Sequence, residues 1–322
     1  MIFEEQVSRK PDRYPWASEY IEAMHAGFWT DKEFSFSSDK QDFHVRMSQE
    51  EKQILVRTLS AISQIEIAVK KFWVRLGDNL PHPSIVDLGI VMGASEVIHN
   101  RAYNRLLEEL GIHDIFEENL KLDIIRGRVN YLQKYNQRIY STNKKQYVYA
   151  IILFTLFVEN VSLFSQFYII LWMERYKNVL KDTAQQVNYT TTEERLHASI
   201  GTRIINTIRE EHPELFDSEL EERVLHEAEE AVKAESLIID WIMGDFSGHK
   251  ISAGLLKEYV KSRTNDGLEA VGFRTAFAVD GQAKKDFRWM DEDSIGDTSA
   301  DFFFQRNTSY VKTVTIDEDD LI

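Results

Sequence analysis

The chain contains a repeated arrangement of glutamate and histidine that is typical of a metal site. A lone Glu66 precedes the motif Glu96-Val-Ile-His99 by 30 residues, and a lone Glu159 precedes Glu194-Arg-Leu-His197 by 35 residues. In an α-helix, residues i and i+3 lie on the same face, so each motif directs a carboxylate and an imidazole into one small volume. The predicted metal ligands are therefore Glu66, Glu96, His99, Glu159, Glu194 and His197.

The spacing of these ligands predicts two helical hairpins. Pro81-His82-Pro83 lies midway between Glu66 and Glu96, where it suits a turn between two antiparallel helices. With a rise of about 1.5 Å per residue in both helices, the two glutamates return to the same height. A second hairpin needs a turn between Tyr176 and Asp182, although that stretch lacks proline and glycine. Two such hairpins form a four-helix bundle with the ligands at its centre.

The charge of the predicted ligand set favours two divalent cations. Four carboxylates contribute −4, two divalent ions contribute +4, and neutral imidazoles contribute nothing. Burying even one unpaired carboxylate costs on the order of ten kcal/mol or more before relaxation. A third motif, Glu22-Ala-Met-His25, has no lone glutamate 30 to 35 residues before it. We therefore predict that this motif is structural or solvated.

The stretch from Tyr147 to Met173 has Glu159 as its only charged residue. Its length alone would suit a transmembrane helix. Polar residues cluster in its middle, however, and the flanks show no clear anchoring pattern. We therefore predict a helix in the core of a large domain, with Glu159 turned inward to a metal.

Composition narrows the class of protein. The 322 residues are 43% hydrophobic, carry a net charge of −15 and include no cysteine. The charge argues against nucleic acid or an anionic membrane as the main partner, and the lack of cysteine fits a reducing cytosol. The first residues lack the apolar core of a signal peptide. We expect a cytoplasmic protein.

Local signals predict an all-α fold. Ser48-Gln-Glu-Glu51 and Ser218-Glu-Leu-Glu221 match capping boxes that open helices, and Gly111 suits the end of the helix that carries Glu96. Residues 1–290 are predicted to form the helical metal-binding domain. Residues 291–322 are predicted to be a flexible tail with an acidic, apolar end, which would be either disordered or docked in a partner's groove.

Tyr103 follows His99 by four residues and Glu96 by seven, so it lies on the ligand face of the same helix. A buried tyrosine beside an oxygen-reactive dimetal centre can be oxidised to a radical. A tyrosine on an apolar helix face can equally be an ordinary core residue.

The order Glu66, Glu96-x-x-His99, Tyr103, Glu159 and Glu194-x-x-His197 resembles the radical-generating small subunit of class I ribonucleotide reductase over nearly the whole chain. The resemblance implies a ferritin-like four-helix bundle with additional helices, and a homodimer. It also implies that Trp29, Glu193 and the tail residue Tyr310 pass an oxidising equivalent to the large subunit. The C-terminal tail would dock that subunit, where the ribonucleotide is reduced.

A glutamate first ligand, a retained tyrosine and the stretches Gln64-Ile-Glu66-Ile and Arg105-Leu-Leu-Glu-Glu-Leu-Gly111 resemble the class Id group. Most of the family has aspartate where Glu66 stands, and Thr190 occupies a position that is usually aliphatic. In class Id, an oxidised dimanganese cluster stores the equivalent and the tyrosine stays reduced. The resemblance therefore favours Mn/Mn, with Fe/Fe and Mn/Fe left open because carboxylate and imidazole suit both metals.

Two other functions remain open from the sequence. An R2-like ligand-binding oxidase shares the ferritin-like bundle and also tends to use glutamate as the first ligand. In this chain Phe154 stands where that group would have its cross-linking tyrosine. A ferritin-type metal-storage protein is the second alternative, although such chains are usually about half this length and have no need for a relay tail.

Overall fold

The computed structural model describes residues 1–136 and 143–290, with the side chains of residues 66–70, 129 and 131–136 left out. The α-helices in chain order are α1 Trp16–Ala26, α2 Ser37–Gln41, α3 Gln49–Val74, α4 Leu76–Asn79, α5 Pro83–Glu109, α6 His113–Asn119, α7 Asp123–Asn136, α8 Lys144–Leu153, α9 Phe164–Lys177, α10 Lys181–Glu211, α11 Ser218–Met243, α12 Ala253–Ala270 and α13 Gly281–Phe287. Shorter elements are the π-helical segments Asp42–Arg46 and Phe154–Glu159, a 3-10 turn Pro213–Leu215, and the strands β1 Ser247–Gly248 and β2 Ile251–Ser252. The two strands form a small antiparallel hairpin. The prediction of an all-α fold is confirmed.

The bundle at the centre of the molecule consists of α3, α5, α10 and the stretch formed by the Phe154–Glu159 segment and α9. Helix α3 packs along α5, and α10 packs against α9 and the Phe154–Glu159 segment. Contacts of α3 with α9 and of α5 with α10 join the two pairs. Helices α7, α11 and α12 cover this bundle, and α1 lies against α5.

The first hairpin forms as the spacing predicts. Ser48 and Glu51 make a complete capping box at the start of α3, and Pro83 opens α5. Helix α5 ends at Glu109, and Gly111 follows with a φ of 68°, in the left-handed region that glycine favours. Within α5, a Cβ at Gly89 would lie 2.6 Å from the Trp73 carbonyl oxygen. Glycine there allows α3 and α5 to approach closely.

The apolar stretch from Tyr147 to Met173 is buried, as predicted, but it is not one helix. Helix α8 changes to π-helix at Phe154, and a turn at residues 160–163 separates Glu159 from α9. Asn160 is held by Arg263 of α12, whose Nε donates to the Asn160 carbonyl oxygen at 2.7 Å. By length and composition Lys144–Lys177 could cross a membrane, yet 94% of its most apolar window is buried inside the protein. The single-helix prediction is therefore wrong, because tertiary hydrogen bonds stabilise the interruption.

The second hairpin turns at residues 178–180, within the predicted stretch. Asn178 and Leu180 both have positive φ angles, 53° and 64°, and thereby replace the missing glycine. Two aspartates from α2 and the following π-helical segment stabilise this turn. Asp39 accepts hydrogen bonds from the Thr183 and Asp182 amides at 2.7 and 3.2 Å, and Asp42 accepts one from the Leu180 amide at 2.9 Å.

The predicted capping box at Ser218 is wrong by one residue. Helix α11 begins at Ser218, but its N-cap is Asp217, whose carboxylate accepts a hydrogen bond from the Leu220 amide at 2.9 Å. Glu221 instead accepts a hydrogen bond from the Arg274 amide. Aspartate is as favourable an N-cap residue as serine, so the helix can begin one residue earlier than the serine pattern predicts.

Candidate metal centre

Three bundle elements bring four of the predicted ligands together in the core. Glu96 comes from α5, Glu159 from the end of the π-helical segment, and Glu194 and His197 from α10. Each offers a ligand atom, and these atoms all lie within 4.8 Å of one another. Every one of the four side chains is at most 1% exposed. The cluster is thus a solvent-excluded group of oxygen and nitrogen atoms that could ligate a metal.

His99 joins the same cluster. Its Nδ1 lies 3.1 Å from Glu194 Oε1 and 3.4 Å from Glu96 Oε2. His197 Nδ1 lies 2.9 Å from Glu96 Oε1 and 3.5 Å from Glu159 Oε2. Both imidazoles therefore direct Nδ1 toward the carboxylates of Glu96, Glu159 and Glu194.

Hydrogen bonds on the far side of each ring favour a neutral tautomer with its lone pair on Nδ1. The Ser95 hydroxyl donates to the Met92 carbonyl oxygen at 2.8 Å, so its oxygen is left to accept from His197 Nε2, 3.0 Å away. Glu193 Oε2 lies 2.6 Å from His99 Nε2 and accepts there when ionised. With Nε2 protonated in both rings, each Nδ1 carries a lone pair that can ligate a cation.

The electrostatics of the cluster also fit cations. Burial and the charge of Glu194 raise the pKa of Glu159 well above that of an ordinary glutamate. Burial opposes protonation of His197, but the charge of Glu96 and hydrogen bonds to Glu159 and Glu194 raise its pKa overall. Both oxygens of Glu96 are buried and lie against the Nδ1 atoms of His99 and His197. Two divalent ions would neutralise this excess of negative charge.

Glu66 lies in the third turn from the end of α3, the helix that packs along α5. Its side chain is outside the described part of the structure. The sixth ligand therefore stays a prediction from the spacing, consistent with the course of α3 beside α5.

Trp29 and Glu193 continue the site toward the N-terminal segment. The Trp29 indole Nε1 donates to Glu193 Oε2 at 2.8 Å, the same oxygen that contacts His99. The Trp29 and His99 rings lie 6.1 Å apart at an angle of 27°. Tyr103 is fully buried on α5. Tyr310 lies outside the described residues.

Two polar neighbours of the ligands were not predicted from the sequence. The Trp73 indole Nε1 donates to Glu159 Oε1 at 2.7 Å, and Ser95 holds His197. Trp73 follows Glu66 by seven residues, so helical spacing carried a signal that it shares the ligand face. Ser95 directly precedes Glu96 and shows no comparable pattern.

The motif at Glu22 and His25 stays apart from the centre. Both side chains are exposed on α1. Of the two predicted alternatives, structural or solvated, the exposure of both side chains favours the solvated one. The motif therefore provides a reference for mutagenesis of the buried motifs.

Comparison with known proteins identifies relatives along almost the whole chain. The family model for "Ribonucleotide reductase, small chain" matches residues 7–285. A probable ribonucleoside-diphosphate reductase small subunit of Invertebrate iridescent virus 3 is 24% identical over 328 residues, which cover 97% of this chain and 86% of the relative.

Solved structures with the same fold include a putative class I ribonucleotide reductase from Bacillus halodurans. It has a TM-score of 0.78 at 21% identity, covering 86% of this chain and 99% of that one. An R2-like ligand-binding oxidase with a Mn/Fe cofactor has a TM-score of 0.71 at 18% identity, covering 85% of this chain and 99% of that one. These structural likenesses establish the fold.

Proposed function

Because this chain belongs to the ribonucleotide reductase small-chain family, we propose that it is the metal-bearing small subunit of a class I ribonucleoside-diphosphate reductase. The observation that carries the proposal is the buried cluster of Glu96, His99, Glu159, Glu194 and His197 at the centre of a ferritin-like helical fold. Burying this much negative charge in a protein core costs free energy that bound cations would offset.

A dinuclear metal centre would be held by these five residues together with Glu66. When bound, the metals would react with oxygen or superoxide and supply the oxidising equivalent for the family reaction. The protein's part is to hold carboxylates and imidazoles in place, exclude water and keep both rings in the Nε2-protonated form. Ser95 and Glu193 perform the last task by hydrogen bonding.

Trp29 and Glu193 are proposed to carry the oxidising equivalent away from the centre. The continuous hydrogen bonds from Trp29 to Glu193 to His99 support this role. Because Glu193 Oε2 accepts from both rings, a proton can shift within the group as the electron moves. Tyr310 in the C-terminal tail would continue the path to the large subunit, where ribonucleotides are reduced to deoxyribonucleotides.

For the metal, we propose Mn/Mn as in the class Id group, ahead of Fe/Fe and Mn/Fe. Support comes from glutamate at position 66 and from the polar Thr190, which lies one turn before Glu194. The Thr190 Oγ1 donates to the Gln186 carbonyl oxygen. In this proposal Tyr103 stays reduced, so Tyr103→Phe should retain activity. Loss of activity in that variant would instead favour a tyrosyl radical.

The proposed assembly is a cytoplasmic homodimer that docks the large subunit through residues 291–322. An uncharged exposed stripe on α5, with Ile90 52% and Val97 45% exposed, supports contact with a second copy. In a two-fold dimer such a stripe can pack against its own symmetry mate. Light scattering measures the mass of the particle in solution, which for the proposed homodimer is twice that of the chain.

The oxidase alternative is less well supported by the residue at position 154. Phe154 stacks on Phe72 with ring centroids 3.7 Å apart and planes nearly parallel. A phenylalanine ring has no phenol oxygen for a cross-link.

The activity test is reduction of a ribonucleoside diphosphate by the metal-loaded chain mixed with its large subunit. We expect deoxyribonucleotide only when both subunits are present, and no turnover by either alone. Oxidation of a small molecule by this chain without a large subunit, and none of the reductase reaction with it, would favour the oxidase.

A further inference from the structure

Arg128 and Glu235 form a buried ion pair that the proposed reaction does not use. Arg128 lies on α7 and Glu235 on α11, and both are 2% exposed. Arg128 Nε donates to Glu235 Oε1 at 2.9 Å, and Nη2 lies 3.1 Å from Oε2. Such a fork of parallel hydrogen bonds fixes the orientation of the guanidinium.

The remaining guanidinium hydrogens bind the main chain of α3 and of the turn before α9. Arg128 Nη1 donates to the Ala61 carbonyl oxygen at 2.9 Å, and Nη2 donates to the Ser162 carbonyl oxygen. Nη2 also lies 3.1 Å from Gln166 Oε1. One side chain therefore connects α3, α11 and the turn before α9.

Both carbonyl groups lie close in sequence to a lone glutamate of the metal centre. Ala61 precedes Glu66 by five residues on α3, and Ser162 follows Glu159 by three in the turn that interrupts the apolar stretch. In a continuous helix the Gln166 amide would donate to the Ser162 carbonyl oxygen, but here it donates to Leu163 at 3.1 Å. Arg128 thus satisfies a carbonyl at the interruption that follows Glu159.

We propose that the Arg128–Glu235 pair is a positioning device for the metal centre, which fixes the main chain of α3 and of the turn after Glu159 relative to each other. This inference rests on the proposed metal-binding function. A buried ion pair is often replaceable by apolar residues without loss of stability, so stability alone gives no reason for it. Holding two main-chain segments at once requires the planar fork of arginine.

The test compares metal binding by the purified full-length chain and two variants, Arg128→Met/Glu235→Leu and Arg128→Lys. The double variant removes both charges, and the lysine variant keeps the charge but cannot reach both carbonyls. The measurements are the dissociation constant for Mn²⁺, the number of ions bound, and the electron paramagnetic resonance (EPR) spectrum of the Mn²⁺-loaded protein. Thermal unfolding of the metal-free protein shows which variants fold.

We expect both variants to bind Mn²⁺ at least about tenfold more weakly than wild type, with an altered EPR spectrum. Arg57→Met is the matched control, because the Arg57 side chain also joins α3 to α11, through a 2.7 Å hydrogen bond to the Trp241 carbonyl oxygen. Among the described residues it bonds neither of the two carbonyls, those of Ala61 and Ser162, that Arg128 holds. That control should keep wild-type affinity and spectrum.

Either variant folding with wild-type metal affinity and spectrum would overturn the positioning role. Failure of both variants to fold would also overturn it, in favour of a purely structural role. A wild-type protein that binds no Mn²⁺ or Fe²⁺ would instead refute the proposed function itself.

Discussion

At the residue scale, each imidazole of the centre is fixed from behind by a different partner. Ser95 binds His197 as a neutral acceptor, whereas Glu193 binds His99 as a carboxylate and also accepts from Trp29. A carboxylate partner increases the basicity of an imidazole more than a hydroxyl does. The two histidines are therefore inequivalent, and the one joined to Trp29 is the more electron-rich ligand.

Glu194→Ala should reduce the bound metal from about two ions per chain to about one, because one carboxylate of the buried set is lost. Metal analysis after removal of loosely bound ions measures the change. Glu22→Ala, in the exposed motif on α1, is the matched control and should bind as wild type does. An unchanged metal count in the first variant would exclude Glu194 as a ligand.

Trp73→Phe should weaken metal binding by roughly ten- to a hundredfold, because Glu159 loses the hydrogen bond that orients it. Competition with a chelating dye measures the affinity. Trp172→Phe removes an indole hydrogen bond of the same length from another buried ring, 2.7 Å to the carbonyl oxygen of the exposed His249, away from the centre. If both variants lose affinity equally, the effect is general loosening of the core.

The candidate ligands could be predicted from the sequence more readily than the residues that hold them in place. The Glu-x-x-His motifs and the lone glutamates follow helical periodicity, so their convergence could be predicted. Arg128 carries no such signal, because its partners Ala61, Ser162 and Glu235 come from three distant parts of the chain. Contacts at that sequence separation depend on the packed fold.

At the scale of elements, the interruption after Glu159 is the main departure from the predicted structure. Apolar side chains dominate α8, the π-helical segment and α9, and no proline or glycine interrupts them, so the pattern predicts one helix. Asn160 could suit a turn, but the hydrogen bonds from Arg263 that hold it come from α12. π-helical segments often occur at functional sites, where they reorient a side chain.

Asp39→Ala should lower the free energy of unfolding by about 1–3 kcal/mol, because the buried amides of Asp182 and Thr183 lose their acceptor at the start of α10. Denaturant unfolding of the metal-free protein measures the change. Metal affinity should also fall, since α10 carries two of the proposed ligands, Glu194 and His197. Asp280→Ala removes the cap of the short helix α13 and should leave metal affinity unchanged. Wild-type metal binding by Asp39→Ala would show that the α10 cap does not position the ligands.

At the scale of the whole molecule, the helical part of the chain provides the proposed metal centre and one end of the proposed relay. Trp29 is 1% exposed and lies beside Phe34 of the N-terminal segment and Tyr189 of α10, which together shield the indole. The next proposed relay residue, Tyr310, and the docking tail lie outside the described residues. Their roles rest on the family resemblance.

Truncation after Phe304 should abolish ribonucleotide reduction with the large subunit while leaving metal binding intact, because the chain then lacks Tyr310 and the acidic end. Activity assays and metal analysis on the same preparation separate the two effects. Tyr310→Phe in the full-length chain is the companion variant, since it keeps the docking sequence. Retained activity in the truncated protein would contradict the relay role of the tail.

The most direct test of the metal centre is EPR spectroscopy with metal quantification in the same sample, after anaerobic Mn²⁺ loading and exposure to oxygen or superoxide. We predict about two manganese ions per chain and a multiline signal from an exchange-coupled pair. A sharp organic radical signal at g of about 2 that disappears in Tyr103→Phe would be compatible with the dimetal site. It would contradict the dimanganese mechanism. Less than one ion per chain, for manganese and for iron, would contradict the metal centre itself.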